Sequence, residues 1–192
     1  MNDSQRRPRW TVFGLCLSLF AILYGFALGG AFGLAEKGIK AHLNESGLRV
    51  LNSVYQGDVA AKDAVVAKSW NYLQRSHLHG GGIGAAGVAV ILAMLVLCRP
   101  GPISGWAAVA FGGGAILYSI FWLIAGLIAP GLGSTGAAKE ALKFIAVPGA
   151  GLTLLGLATS IVLIIKDTWI TPPSANPIGI TSRHSTHEAG MR

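Results

Sequence analysis

The residues best equipped for chemistry lie together in one stretch, Trp70-Asn71-Tyr72-Leu73-Gln74-Arg75-Ser76-His77-Leu78-His79-Gly80. Imidazole is an axial ligand for haem and a ligand for zinc, copper or iron, so His77 and His79 are candidate cofactor ligands. His77 is also the candidate metal ligand. On a regular helix the two rings point about 200° apart, so a single metal ion cannot take both. His77 shares its stripe with Gly80, Gly84, Gly87 and Ile91, and small residues beside a ligand leave room for a flat group such as haem b or a quinone. His79 shares the other face with Tyr72, Ser76 and Ile83, which predicts a place at the lipid interface or against another subunit.

Arg75, Tyr72 and Glu36 complete the candidate cofactor-binding site. Arg75 and Lys37 are suited to hold a propionate or a lipid phosphate, and Glu36 to orient a histidine or carry protons. Glu36 also stands four residues before Lys40, the spacing of a surface ion pair. The plainer alternative is that both histidines are interfacial side chains bonded to water, headgroups or helix carbonyls. One count weighs against haem: the remaining apolar stretches contain no histidine. A bis-histidine haem within the chain would need His42 or His79 to join His77, or else a ligand from a partner.

Four long apolar stretches must position these groups, at about 10–34, 81–97, 103–129 and 144–165, and none has an Asp, Glu, Lys or Arg in its centre. About 20 apolar residues match the hydrocarbon thickness at helical rise, and backbone exposed to lipid must bond within its own segment. The chain therefore reads as an all-α integral membrane protein with four transmembrane helices in an antiparallel bundle. The insertion 35–80 carries Leu48, Leu51 and Tyr55, then Val59, Val66, Trp70, Leu73 and His77, at helical intervals. It predicts extensions of the first two helices into an extramembrane hairpin, with Gly57-Asp58 at the tip and Asp58 as an N-cap. Its rival is a pair of helices lying flat on the bilayer. Arg99-Pro100-Gly101-Pro102 forces a tight turn between the second and third spans.

Glycine supplies a second pattern. Gly25, Gly29 and Gly33 repeat every four residues on one face, and Gly80, Gly84 and Gly87 form a small face on the next helix, so the simplest pairing joins them at a common depth. Helices in lipid gain little by hydrophobic association and pack best where small residues let backbones meet. Gly112-Gly113-Gly114 either permits a close crossing or makes room for a ligand.

Composition bounds the function. The 192 residues are 52% hydrophobic and only 12% charged, with a net charge of +7. The basic residues sit in tails and loops rather than along one stripe, which argues for lipid contact and topology, not nucleic acid. Arg6, Arg7 and Arg9 abut the first span, and Arg99 and Lys166 directly follow two others. That placement favours both termini in the cytoplasm of a bacterial-type cytoplasmic (inner) membrane. Cys16 and Cys98 have no CxxC partner and read as packing residues. The absence of ionisable groups at membrane depth disfavours a pump or ion-coupled carrier. Walker, HExxH and CxxCH motifs are missing. The basic start, residues 1–9, precedes the membrane domain 10–170, and the proline-punctuated, histidine-bearing stretch 171–192 reads as a disordered tail.

Two functional classes follow. One is a non-catalytic subunit of a larger membrane complex, in its redox form with a haem, metal or quinone site near His77. The other is a structural or assembly protein that binds other membrane chains, or its own copies, through glycine seams without a cofactor. An oligomeric channel is a third reading, resting on Tyr118, Ser119, Thr153, Thr159 and Ser160. Hydroxyls at such positions commonly bond their own helix carbonyls.

Overall fold

The computed structural model describes residues 9–170; the basic pair Arg6 and Arg7 and the stretch 171–192, with His184 and His187, lie outside the described residues. Within them the chain forms α1 (Arg9–Arg49), α2 (Val59–Leu97), α3 (Pro102–Ile128), α4 (Thr135–Ala141) and α5 (Lys143–Ile165), followed by a π-helical turn, Lys166–Ile170. The described residues contain no strand. Four helices, α1, α2, α3 and α5 with its π-turn, are long and apolar enough to cross a membrane.

Local chemistry explains most of the boundaries. Asp58 caps α2, its side chain accepting from the Ala61 N–H at 2.9 Å, as its position after Gly57 predicts. Gly57 takes φ +82°, which costs glycine nothing and turns the chain between α1 and α2. Pro102 opens α3, where its missing N–H is no loss. Ser134 caps α4 by accepting from the Ala137 N–H. Pro148 lies in the second turn of α5, close enough to the helix start to remove little hydrogen bonding.

Both arms of the hairpin are longer than a bilayer needs. The 41 residues of α1 and 39 of α2 extend roughly 60 Å at helical rise. Helix α2 runs from the tip into its apolar half without a break. Helix α1 is interrupted once, at Ala35, whose φ −126° and ψ 17° are not helical. That break falls where the sequence ends the first apolar stretch.

Helix α3 is the axis of the molecule, packing against α1, α2 and α5, while α1 and α2 form a second broad interface. Helix α5 lies chiefly on α3 and touches α2 only slightly. Half of the most apolar window of α3 is buried, against 22% in α1 and 17% in α5. The outer helices therefore turn large apolar side chains outward, among them Leu23 and Phe26 on α1 and Leu154 and Val162 on α5. The tip is tied to the end of α3 by Tyr55, whose hydroxyl donates to the Pro130 carbonyl at 2.8 Å. Burial pushes the Tyr55 phenol above its ordinary pKa.

Candidate functional site

The two histidines leave α2 toward different neighbours. His77 turns to α1, where its Nδ1–H donates to the Gly25 carbonyl at 2.6 Å. Its ring fills the space beside Gly29: a Cβ added there would lie 2.7 Å from Cε1. Phe32 closes that side edge-on at 6.3 Å. His79 donates its Nδ1–H to the Arg75 carbonyl of its own helix at 2.8 Å. Its ring lies against Tyr118 and Trp122 of α3, at 5.2 and 5.9 Å between centroids. The ring stays partly exposed, and these contacts arise because α3 crosses α2 at this level. The exposed His42 joins neither ring. Among the described residues, no three His, Cys, Asp or Glu side chains converge as a metal site.

Arg75 and Tyr72 do come together, through an aromatic group on α3. The Arg75 guanidinium stacks over Trp122 at 5.0 Å and Tyr72 at 5.5 Å. Tyr72 is buried and meets Trp122 edge-on at 4.8 Å. Phe121 and Leu142 extend the same core cluster. Glu36 is elsewhere. It is half exposed and pairs with Lys40 rather than with a histidine, and Lys40 in turn covers the Trp70 ring at 4.9 Å. Trp70 meets Phe32 edge-on at 5.3 Å, bridging α1 and α2 just beyond His77.

Spacing along the sequence did not reveal the polar chain that links three helices. The Tyr24 hydroxyl on α1 lies 2.8 Å from the Ser76 Oγ on α2, and Ser76 donates to the Ser119 carbonyl on α3 at 2.7 Å. With the Ser76 proton committed to that carbonyl, Tyr24 is the donor to Ser76. Ser119 Oγ donates to Ala115, Thr153 to Gly149 and Ser160 to Gly156, each within its own helix. Signals for the chain were slight: one tyrosine in an apolar stretch and one serine a residue before His77, about 100° round α2 from it.

Glycines set how closely the helices approach. A Cβ at Gly25 would lie 2.5 Å from the Gly81 nitrogen, one at Gly84 2.9 Å from the Ser18 carbonyl oxygen, and one at Gly80 3.1 Å from the Ala21 carbonyl oxygen. A Cβ at Gly87 would fall 2.6 Å from the Ser18 Oγ. Gly33 has nothing within 4 Å of such an atom. The partners of the α2 glycines are therefore Ser18, Ala21 and Gly25, deeper than the Gly29 and Gly33 pairing expected. The His77 ring occupies the level of Gly29, and the Ala35 break follows Gly33. The α3 triplet divides its duties, with Gly112 2.7 Å from the Gly14 oxygen and Gly114 2.5 Å from the Thr153 nitrogen, both measured from an added Cβ. Gly149 and Gly156 of α5 meet the α3 backbone in the same way, at 2.8 Å from Tyr118 N and 2.6 Å from Phe111 N.

No known protein family, characterised protein or solved structure matches this chain.

Proposed function

We propose that the chain is an integral membrane protein whose four long helices cross the bilayer as an antiparallel bundle, and that it serves as a non-catalytic structural or assembly partner of other membrane chains. One observation carries this reading. The helix crossings are closed by glycines against facing backbone, at Gly25, Gly84, Gly112, Gly114 and Gly156, so the interior is spent on packing rather than on a substrate path. The hairpin formed by the ends of α1 and α2 stands beyond the apolar half and carries ten of the 17 charged side chains among the described residues. It is the part best suited to meet a partner outside the bilayer. Arg9, Arg99 and Lys166 gather at the opposite end, which supports cytoplasmic termini in a bacterial-type inner membrane.

The test is the mass of the particle extracted from native membranes in mild detergent, by size exclusion with light scattering. We expect a protein mass well above one 19.9 kDa chain, in a fraction that resists carbonate extraction. A bare monomer would remove the assembly role, and release by carbonate would remove the membrane reading.

A cofactor-bearing version keeps one specific observation in its favour. The Gly25 carbonyl holds the Nδ1–H of His77, which leaves Nε2 as the lone-pair nitrogen in the neutral ring, the arrangement that second-shell carbonyls impose on ligating histidines. A visible spectrum of the purified protein, oxidised and dithionite-reduced, with metal analysis, decides this version. Stoichiometric haem or metal lost in His77→Ala would establish it; a colourless, metal-free protein would leave the structural role.

A further inference from the structure

At the end of the bundle opposite the hairpin, a cleft of ≈ 190 Å³ opens between the α2–α3 turn and the π-turn after α5, lined by Arg99, Gly101, Ile103, Ser104, Lys166 and Asp167, with Pro102 and Leu163 behind them. We propose that this cleft binds the phosphate of an anionic phospholipid in the leaflet on that side. The inference rests on the membrane reading above and adds a specific ligand to it.

Charge is the first argument. Arg99 and Lys166 are both exposed, and no ion pair among the described residues engages either of them. Two uncommitted cations, one forked and one a point charge, therefore border a cavity of headgroup size. An Arg beside a Lys is a common way to hold phosphate oxygens, the guanidinium supplying paired donors.

Backbone donors add to them. In the first turn of α3 the Gly101 N–H is taken by Ser104 Oγ and the Gly105 N–H by the Gly101 carbonyl. Ile103 and Ser104 line the cleft, and N–H groups at those helix positions have no intrahelical acceptor. The positive end of the helix dipole adds a favourable field there.

Asp167 is the counter-argument and supplies the sharpest test. Its Oδ2 accepts the Arg99 backbone N–H at 2.7 Å, pinning the π-turn to the α2–α3 turn. The three ionisable groups lining the cleft sum to two positive charges less one negative, a net +1. Asp167 thus shapes the wall while opposing the ligand. If the cleft existed only as a fold-internal pin, removing that carboxylate would weaken it; as a phosphate site, removing the charge while keeping an acceptor oxygen strengthens binding.

The surroundings select lipid over a soluble anion. Trp10, Trp106 and Trp169 are exposed at this end, 66%, 48% and 86%, beside exposed Ile103 and Ile165. Trp10 packs on the first turn of α3, its Cβ 2.7 Å from a Cβ added at Gly105. Tryptophan at the ends of apolar helices is the signature of the headgroup layer. Phosphate bound in the cleft would have acyl chains running down the apolar flanks of α3 and α5.

The purified chain in mild detergent is titrated with phosphatidylglycerol, phosphatidylcholine or inorganic phosphate, following thermal stability and, by native mass spectrometry, retained lipid. We expect phosphatidylglycerol to bind and stabilise more than phosphatidylcholine, with inorganic phosphate alone giving neither effect. Arg99→Gln and Lys166→Gln each weaken the phosphatidylglycerol effect about fivefold, the worth of one surface cation near anionic lipid. Asp167→Asn strengthens it, an outcome that misfolding cannot produce. Equal responses to the two lipids, or no change in the Gln variants, would overturn the proposal. So would an Asp167→Asn variant that binds more weakly, or a response reproduced by inorganic phosphate. Carbonate extraction of each variant separates the two failures: a chain released from membranes refutes the membrane reading, whereas an embedded chain without lipid preference refutes only the cleft.

Discussion

The interface between α1 and α2 is built in two different ways on the two sides of Ala35. On the apolar side α1 turns Ser18, Ala21 and Gly25 to α2, the inner part of a small-residue stripe, three and four apart, whose Thr11 and Gly14 lie against α3 instead. Helix α2 answers with Gly80, Gly84 and Gly87. On the hairpin side the contacts are made by side chains: Phe32 on Trp70, Lys40 over Trp70, and a fully buried Leu43. Lys62 is also buried there, its stem lying over Gly47 and its ammonium bonded to Asn44 and Asp63. Two solvents would ask for this division. In water, burying apolar side chains drives association. In lipid that force is missing, and close backbone approach takes its place.

The largest effect expected is at the α3–α5 crossing. Gly114→Leu drives a side chain into the Thr153 backbone and should cost about 3 kcal/mol or more, as severe overpacking does. Gly151→Leu, with open space around its Cβ, should stay within about 0.5 kcal/mol. Thermal unfolding in detergent compares the two, and equal losses would remove the claim that glycine sets the approach. Next in size is Leu43→Ala in the hairpin, where removal of a buried leucine costs about 2–3 kcal/mol. Hydrogen exchange should then quicken through 36–70 while the glycine-packed half keeps its protection. Loosening of both halves together would mean that they are not separate units.

What could be read in advance follows the same divide. Four apolar stretches were legible because hydrocarbon thickness fixes length and leaves the backbone no choice but helix. The opposed directions of His77 and His79 were legible from helical angle alone. The neighbours of His79 were not, since Tyr118 and Trp122 lie some forty residues further along and only the crossing of α3 over α2 brings them in. Counting glycines alone pointed to Gly25, Gly80, Gly84 and Gly87 but missed that Ser18 and Ala21 share their seam. It also carried the seam one turn too far, to Gly33. Nothing at Ala35 announces a break, alanine being the best helix former. The short helix α4 went unread, although Ser134 carries its N-cap signal.

A smaller effect belongs to the polar chain across the three helices. Ser76→Ala leaves the Tyr24 hydroxyl and the Ser119 carbonyl without their partner. Interhelical hydrogen bonds between membrane helices average about 0.6 kcal/mol, because the unfolded helices also find partners. We expect a loss of that order for Ser76→Ala, and less for Tyr24→Phe, which spares the bond to Ser119. The double variant should lose less than the two singles added, since they share one network. Strict additivity in a double-mutant cycle would show that Tyr24 and Ser76 do not act together.

The smallest change is expected outside the apolar half. Lys40→Met removes an ammonium from the Trp70 face and from Glu36, both at a half-exposed position where a cation–π contact is worth about 0.5 kcal/mol. Because the interaction is electrostatic and open to solvent, raising the salt concentration should shrink the difference from the parent chain. The same salt change should leave the Gly114→Leu deficit untouched, since dispersion and steric contact carry no charge to screen. A Lys40→Met loss that ignored salt would place its origin in the apolar stem of the lysine rather than its head, and would extend the steric packing rule of the glycine seam past Ala35 into the hairpin.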